Sequence, residues 1–238
     1  MHIVVYDTYE QMCREAAEWT AALIRRKPDA VLGLPTGGTP EGYYAALVKT
    51  GVSFRQVRTF NLDEYLGLPR THPESYHSYM TRALFSKVDL DPANCRIPDG
   101  MAPDPEGECR RYEEAIQQAG GIDLILLGLG PNGHIGFNEP GSPWDARTRR
   151  VPLTEETRTA NARFFAGRPE AVPREALTVG IGTILQARRI LLLAAGAAKA
   201  EIARRTLYDQ PGPDVPATAL RQHDNVTFLL DREAAALL

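Results

Sequence analysis

Short runs of β-branched and leucine residues alternate with longer segments in which apolar positions return every three or four residues, from one end of the chain to the other. Buried parallel strands read as continuous apolar runs and their covering helices as amphipathic stripes, so the alternation predicts an α/β fold with helices on both faces of a parallel sheet. Residues 2–6 read as a strand. Thr8 and Gln11 then stand at capping-box spacing before a helix whose Met12, Ala16, Trp19 and Leu23 share one face and which ends near Lys27 and Pro28. A second strand at 30–34 leads through Pro35-Thr36-Gly37-Gly38 to a helix opened by Thr39-Pro40, with Tyr43, Ala46 and Leu47 on its buried side.

A third strand at 57–61 runs into Asp63-Glu64-Tyr65, after which Thr71 and Glu74 predict the cap of a helix reaching Phe85. Asp104-Pro105 opens another helix, stopped by Gly120 and Gly121. The remaining strands are expected at 122–127, 177–180, 190–195 and 226–230, with a helix at about 198–207 between the last two. Residues 139–175 are polar and irregular, and a lid over a site is expected within 140–175. Proline and glycine cluster at 98–107 and 211–216 as surface loops, so 1–238 is read as one domain.

Composition narrows the function classes. The chain has 238 residues, 43% hydrophobic and 24% charged, enough for a sizeable core. Its 27 Lys and Arg against 30 Asp and Glu, net charge -3, supply no basic face for nucleic acid. The apolar runs at 124–129 and 190–198 fall far short of the roughly 20 residues of a membrane span. Asp7 and Glu10, with no basic segment before them, do not fit a secretory signal, and a cytoplasmic location is expected. Cys13, Cys95 and Cys109 form no C-x-x-C pair, and the five histidines form no H-x-x-x-H pair, so neither a disulfide framework nor a metal site is expected.

Ligands of open α/β sheets bind beyond the carboxyl ends of strands, and three such ends carry unusual residues: Thr36-Gly37-Gly38, Asp63-Glu64 and Asn132-Gly133-His134. The glycine loop is either a tight strand-to-helix turn or an anion cradle, in which Gly37 and Gly38 admit the ligand to backbone N–H groups and the following helix turns its positive end towards it. It lacks the Lys-Ser/Thr of a nucleoside-triphosphate loop, which favours a small phosphorylated molecule. Residues 128–133 match G-x-G-x-x-G, but Pro131 and the non-helical sequence that follows argue against a dinucleotide.

Histidine as a residue type exchanges protons near neutrality, and Glu139, five residues after His134, can fix the tautomer of the ring, which makes a proton relay. Of Asp63 and Glu64, one is expected in the cleft and the other towards solvent or a helix terminus. Arg163 in the lid and Lys199 after the strand at 190–195 could complete a phosphate site. These residues point to acid–base chemistry on a phosphorylated small molecule.

Four blocks, LGLPTGGTPEGYY at 32–44, TFNLDEYLGLPRTHPESYHSYM at 59–80, LGLGPNGHIGFNEPGS at 127–142 and TRTANARFF at 157–165, resemble the glucosamine-6-phosphate deaminase family. The resemblance implies a single-domain, Rossmann-like, mostly parallel fold and conversion of glucosamine 6-phosphate and water to fructose 6-phosphate and ammonia, with no cofactor. It implies that His134 assists opening of the sugar ring while Glu139 and Asn132 hold its imidazole, and that Asp63 takes the C2 proton and returns it to C1 through an enolamine. Thr36, Gly37, Gly38, Arg163 and Lys199 would hold the 6-phosphate.

Some members carry Asp where this chain has Asn132, which should raise the basicity of His134 less here. Larger allosteric members continue further beyond the last strand, so no activation by N-acetylglucosamine 6-phosphate is expected, although Arg149 lies in the region such enzymes use for their effector. The chain is expected to act as a monomer or homo-oligomer. Two other readings remain: a 6-phosphogluconolactonase-like hydrolase and a non-catalytic sugar-phosphate sensor.

Overall fold

The computed structural model describes residues 1–238. The chain runs β1 (His2–Tyr6), α1 (Tyr9–Arg26), β2 (Val31–Leu34), α2 (Thr39–Lys49), β3 (Arg58–Asn61), β4 (Asp63–Tyr65), α3 (Tyr76–Ala83), β5 (Cys95–Arg96) and α4 (Pro105–Gln118). It continues through β6 (Leu124–Gly128), β7 (Arg149–Pro152), α5 (Glu155–Asn161), β8 (Glu175–Thr178), α6 (Ile181–Ile184), β9 (Ile190–Ala194), α7 (Ala200–Tyr208) and β10 (Val226–Asp231), with short 3₁₀ turns between. Seven strands form the central sheet in the order β1-β10-β9-β6-β2-β3-β5, and every neighbouring pair is parallel.

Successive strand residues face opposite ways, and the two faces gather separate cores. Ile125, Leu127, Leu192 and Phe228 pack on one side with Phe60 and Tyr112. Leu124, Leu126, Leu191 and Leu193 pack on the other with Met12 and Tyr43. Both faces are therefore apolar along the same strand, which is why 122–127 and 190–195 read as unbroken runs. Each fully buried leucine contributes roughly 1.5–3 kcal/mol of transfer free energy.

Helix starts follow their caps. Thr8 Oγ1 accepts from Gln11 N at 3.2 Å, and Gln11 Oε1 reaches back to Asp7 N at 3.1 Å. Asp104 caps α4 by accepting from Gly107 N at 2.9 Å. The start of α3 differs from the expected Thr71 cap: Ser75 Oγ accepts from Ser78 N at 3.1 Å, and the buried Glu64 carboxylate accepts from Tyr76 N and His77 N at 2.9 and 3.0 Å. A buried carboxylate at the helix's positive end fixes where α3 begins, a determinant that spacing along the chain does not contain.

Residues 139–175 depart most from expectation. Far from irregular, they contribute β7 and α5 and lead into β8, and β8 lies antiparallel between β4 and β7 in a second, three-stranded sheet. The strand expected at 177–180 is thus β8, shifted to 175–178 and outside the central sheet. This small sheet and a cluster of Tyr65, Phe137, Val151, Leu153 and Phe165 fasten the segment over the carboxyl end of the central strands. The two-residue β5 is too short to leave a periodic signal.

Candidate active site

Loops following β2, β3, β6 and β9 converge on one cleft of about 190 Å³, closed from above by α5 and the turn after it. All three motif-bearing strand ends meet there, as the topology of an open parallel sheet requires.

The glycine loop forms its floor. Gly37 has φ +103°, a left-handed conformation that strains any side-chain-bearing residue, and Tyr79 Oη donates to Gly37 O at 2.7 Å to hold the turn. No side chain caps α2 at Gly38; Glu41 N bonds to Gly38 O and Gly42 N to Tyr9 Oη, which leaves the N–H groups of Gly38 and Thr39 to meet a ligand. A Cβ on Gly38 would stand 3.7 Å from Arg163 Nη2, so the loop and the guanidinium bound the same space. Lys199 also lines the cleft, its pKa lowered by burial and then by the charge of Arg163. Two like charges held together beside free N–H groups make a site for an anion. The five residues expected to bind phosphate are all brought together.

Asp63 follows β3 and borders the cleft, 5% exposed, with no hydrogen-bond donor to its carboxylate within the protein. Burial, and then the nearby charge of Glu64, pushes its pKa up to about 8. Glu64 points the other way, to the N-terminus of α3, so the adjacent pair divides into one group in the cleft and one structural cap.

His134 lines the same cleft as this carboxylate. Its Nδ1 sits 3.5 Å from Glu139 Oε2, charge-pair distance at the long limit of a hydrogen bond. Burial works to raise the Glu139 pKa, but His134, a short hydrogen bond from Thr157 Oγ1 and another from Asn132 outweigh it and bring the group down to about 2. Asn132 makes no hydrogen bond to the imidazole. Its amide donates to Glu139 Oε2 at 2.7 Å and its carbonyl accepts from His134 N at 3.2 Å. Asn132 and Glu139 stand behind His134 rather than on the cleft wall, so they position the ring instead of meeting a ligand.

Several residues of the site were assigned no role from the sequence. A Cβ on Gly130 would fall 2.2 Å from His134 Cδ2, so Gly130 lets the imidazole lie flat against the backbone. The G-x-G spacing marked this loop, but the glycine serves a side chain rather than a pyrophosphate. Gly136, φ +58°, brings the loop past Asp63 Oδ2, while Thr157 joins α5 to Glu139. Tyr65 and Tyr76, with ring centroids 4.7 Å apart, form an apolar wall with Phe137 and Phe165. No three metal-ligating side chains converge anywhere in the fold, and no helix is long and apolar enough to cross a membrane.

Comparison with known proteins agrees with this geometry. The family model described as glucosamine-6-phosphate isomerases/6-phosphogluconolactonase matches residues 6–229. The glucosamine-6-phosphate deaminase of Halothermothrix orenii is 50% identical over 242 aligned positions, covering 100% of both chains. A solved structure of a monomeric glucosamine-6-phosphate deaminase superposes with a TM-score of 0.97 at 50% identity, again covering 100% of each chain. The 6-phosphogluconolactonase of Trypanosoma brucei shares the fold, with a TM-score of 0.79 at 23% identity over 100% of this chain and 98% of its own.

Proposed function

Because the chain belongs to the family of glucosamine-6-phosphate isomerases and 6-phosphogluconolactonases, and its full-length relatives at 50% identity are deaminases, we infer that it converts glucosamine 6-phosphate and water to fructose 6-phosphate and ammonia. The observation that carries the choice within the family is Asp63, a buried carboxylate without a partner, facing the same cleft as His134 and the anion cradle. Lactone hydrolysis needs no base for a carbon acid; moving a proton from C2 to C1 does.

In this reading the 6-phosphate occupies the loop of Thr36, Gly37 and Gly38, clamped by Arg163 and Lys199. Closing the anion between two cations and the start of α2 aligns the sugar for reaction. His134 transfers the proton that opens the ring, leaving the hemiacetal hydroxyl as an aldehyde and the ring oxygen as a hydroxyl. Glu139 remains ionised throughout, with its pKa near 2, and stabilises positive charge on the imidazole while it holds the proton.

Ionised Asp63 then removes the C2 proton, and the electron pair moves through C1 to the aldehyde oxygen, which takes a proton from the substrate's own ammonium group to give an enolamine. The same carboxyl group returns that proton to C1, leaving an imine at C2 to which water adds and from which ammonia departs. A carboxylate buried among apolar groups is a stronger base than an exposed one, and this suits a weakly acidic C–H bond.

The segment carrying α5 acts as the lid. Arg163 contacts the phosphate region and Thr157 contacts Glu139, so substrate binding and the relay are joined through one short helix. The enzyme is proposed to work in the cytoplasm as a monomer, without nucleic acid or membrane as partner, on an amino-sugar phosphate.

Incubation with glucosamine 6-phosphate, measuring fructose 6-phosphate and ammonia together, tests the assignment. Equal release of both, nearly abolished in Asp63→Asn and His134→Gln, is expected. Sugar-phosphate binding with neither product released by the wild type would overturn it in favour of a sensor. Hydrolysis of 6-phosphogluconolactone in its place would establish the lactonase.

A further inference from the structure

A second cavity, of about 560 Å³, opens at the opposite end of the sheet. Asp123, Arg189 and Asn225 lie immediately before β6, β9 and β10, whereas the site described above lies beyond the other ends of those strands. Strands of this length separate the two by roughly 15 Å. The wall is completed by the last turns of α1, which bring Trp19, Arg26 and Lys27.

Charge is distributed unevenly in this groove. Four cations, Arg26, Lys27, Arg188 and Arg189, face one carboxylate, Asp123. That carboxylate is fully engaged: Oδ2 takes Lys27 Nζ at 2.5 Å and Val31 N at 2.8 Å, and Oδ1 takes Arg188 Nη1 at 3.1 Å. Arg26 and Arg189 are left with no acidic partner. Arg189 is half-buried, its Cζ 4.7 Å above the Trp19 ring, and its Nε is shut off from solvent without a hydrogen-bond acceptor. Burial, and then the charge of Arg26, lowers its pKa. A guanidinium fixed by stacking, with unused donors and a second cation close by, offers a preorganised fork for phosphate oxygens.

We propose that this groove is a second anion site, which binds a diphosphate group between Arg26 and Arg189 with Lys27 and Arg188 at its margin. Two phosphoryl groups suit it better than one, because the surplus of three positive charges (four cations less one carboxylate) matches a multiply charged anion. The ligand class is inorganic pyrophosphate or a small molecule bearing a diphosphate, such as a nucleoside diphosphate.

Trp19 reports on its own site, since Trp144 is the only other tryptophan. In a Trp144→Phe protein, pyrophosphate and ADP are titrated separately while fluorescence is followed at constant ionic strength. A saturable change is expected with pyrophosphate, retained in Arg163→Ala, whose substitution disables the substrate cradle, and weakened tenfold or more by Arg26→Ala. Equal affinity for ADP would identify nucleoside diphosphates as the source, and binding of pyrophosphate alone would identify the free anion. Absence of a change, the same change with sodium chloride, or loss of the change in Arg163→Ala but not in Arg26→Ala would overturn the proposal. Calorimetry on the unmodified chain gives an independent reading: two pyrophosphate sites are expected, falling to one in Arg26→Ala, and a single site unaffected by that substitution refutes the groove.

Discussion

Asn132 Nδ2 donates to Glu139 Oε2 at 2.7 Å, and that same oxygen lies 3.5 Å from His134 Nδ1. One carboxylate oxygen therefore takes the amide's hydrogen bond and faces the imidazole, whose buried Nδ1 has no hydrogen-bond partner. The amide adds to the larger effects of His134 and Thr157 in keeping Glu139 ionised and brings no negative charge of its own, so the relay here contains a single carboxylate.

Replacing Asn132 by Asp removes a donor and supplies an acceptor that repels Glu139. Like charges raise carboxylate pKa values and also favour the protonated imidazole, so the pH dependence of kcat/KM should move upwards, by up to about one unit. Asn132→Leu removes both hydrogen bonds and should lower kcat roughly tenfold or more, without the same displacement of the profile. Profiles of the two variants that coincide with the wild type would exclude any part for this amide in tuning the relay.

The charge state of Asp63 makes a second prediction. With its pKa near 8, the free enzyme holds this carboxyl protonated at neutral pH, and kcat/KM should rise with pH until it levels off above about 8. Asp63→Asn should abolish that dependence together with activity, a loss of about 10²–10⁴-fold for a group handling the proton of a carbon acid.

The same group links stability to pH. An aspartate ordinarily titrating at 3.8 and held near 8 in the fold binds a proton that the unfolded chain has released between those values. Its contribution is fully favourable below the unfolded pKa and is lost as pH rises through the folded one. Asp63→Asn should therefore leave Tm almost unchanged at pH 4 and raise it by several degrees at pH 9, as measured by calorimetry across that range. A Tm difference independent of pH would mean that Asp63 is not desolvated in solution.

The residues that handle protons and phosphate were legible because strand ends in parallel sheets concentrate ligands and because His134, Glu139 and Asp63 stand in loops at such ends. What the sequence did not disclose depends on contacts between distant segments. The pairing of β8 with β4 and β7 turns an apparently irregular stretch into a sheet, and Ser75 rather than Thr71 caps α3 because Glu64 arrives from another strand. Asn132 was expected against the ring of His134; its reach to Glu139 depends on a loop path that spacing leaves open. Thr157 falls in a block that carries the family resemblance but received no role there, since its contact with Glu139 exists only once α5 is laid over the relay.

Gly130 is the backbone counterpart of that relay. An added Cβ would fall 2.2 Å from Cδ2 of the imidazole, so something must shift, and the three nearest atoms all belong to the His134 ring. Gly130→Ala should lower kcat by roughly 100-fold, the scale expected when a reacting group is misplaced by about 1 Å, while Tm falls only modestly. A variant with normal kcat would show that the ring is free to lie elsewhere during the reaction.

Arg163 and Lys199 allow the phosphate and the chemistry to be separated. Each charge-assisted contact to phosphate is worth about 1.5–3 kcal/mol, so removing either side chain should raise KM roughly 10–100-fold. The two are not equivalent. Lys199 follows β9 on the sheet scaffold, whereas Arg163 belongs to the same overlying segment as Thr157, which holds Glu139. Lys199→Ala should therefore act mainly on KM, while Arg163→Ala should lower kcat as well, because losing its grip on phosphate frees the segment that orders the relay. Glucosamine, which lacks the phosphate, should be turned over equally poorly by the wild type and both variants. If the two substitutions altered KM and kcat in the same proportion, the overlying segment would be a passive cover and the phosphate clamp would carry no information to His134.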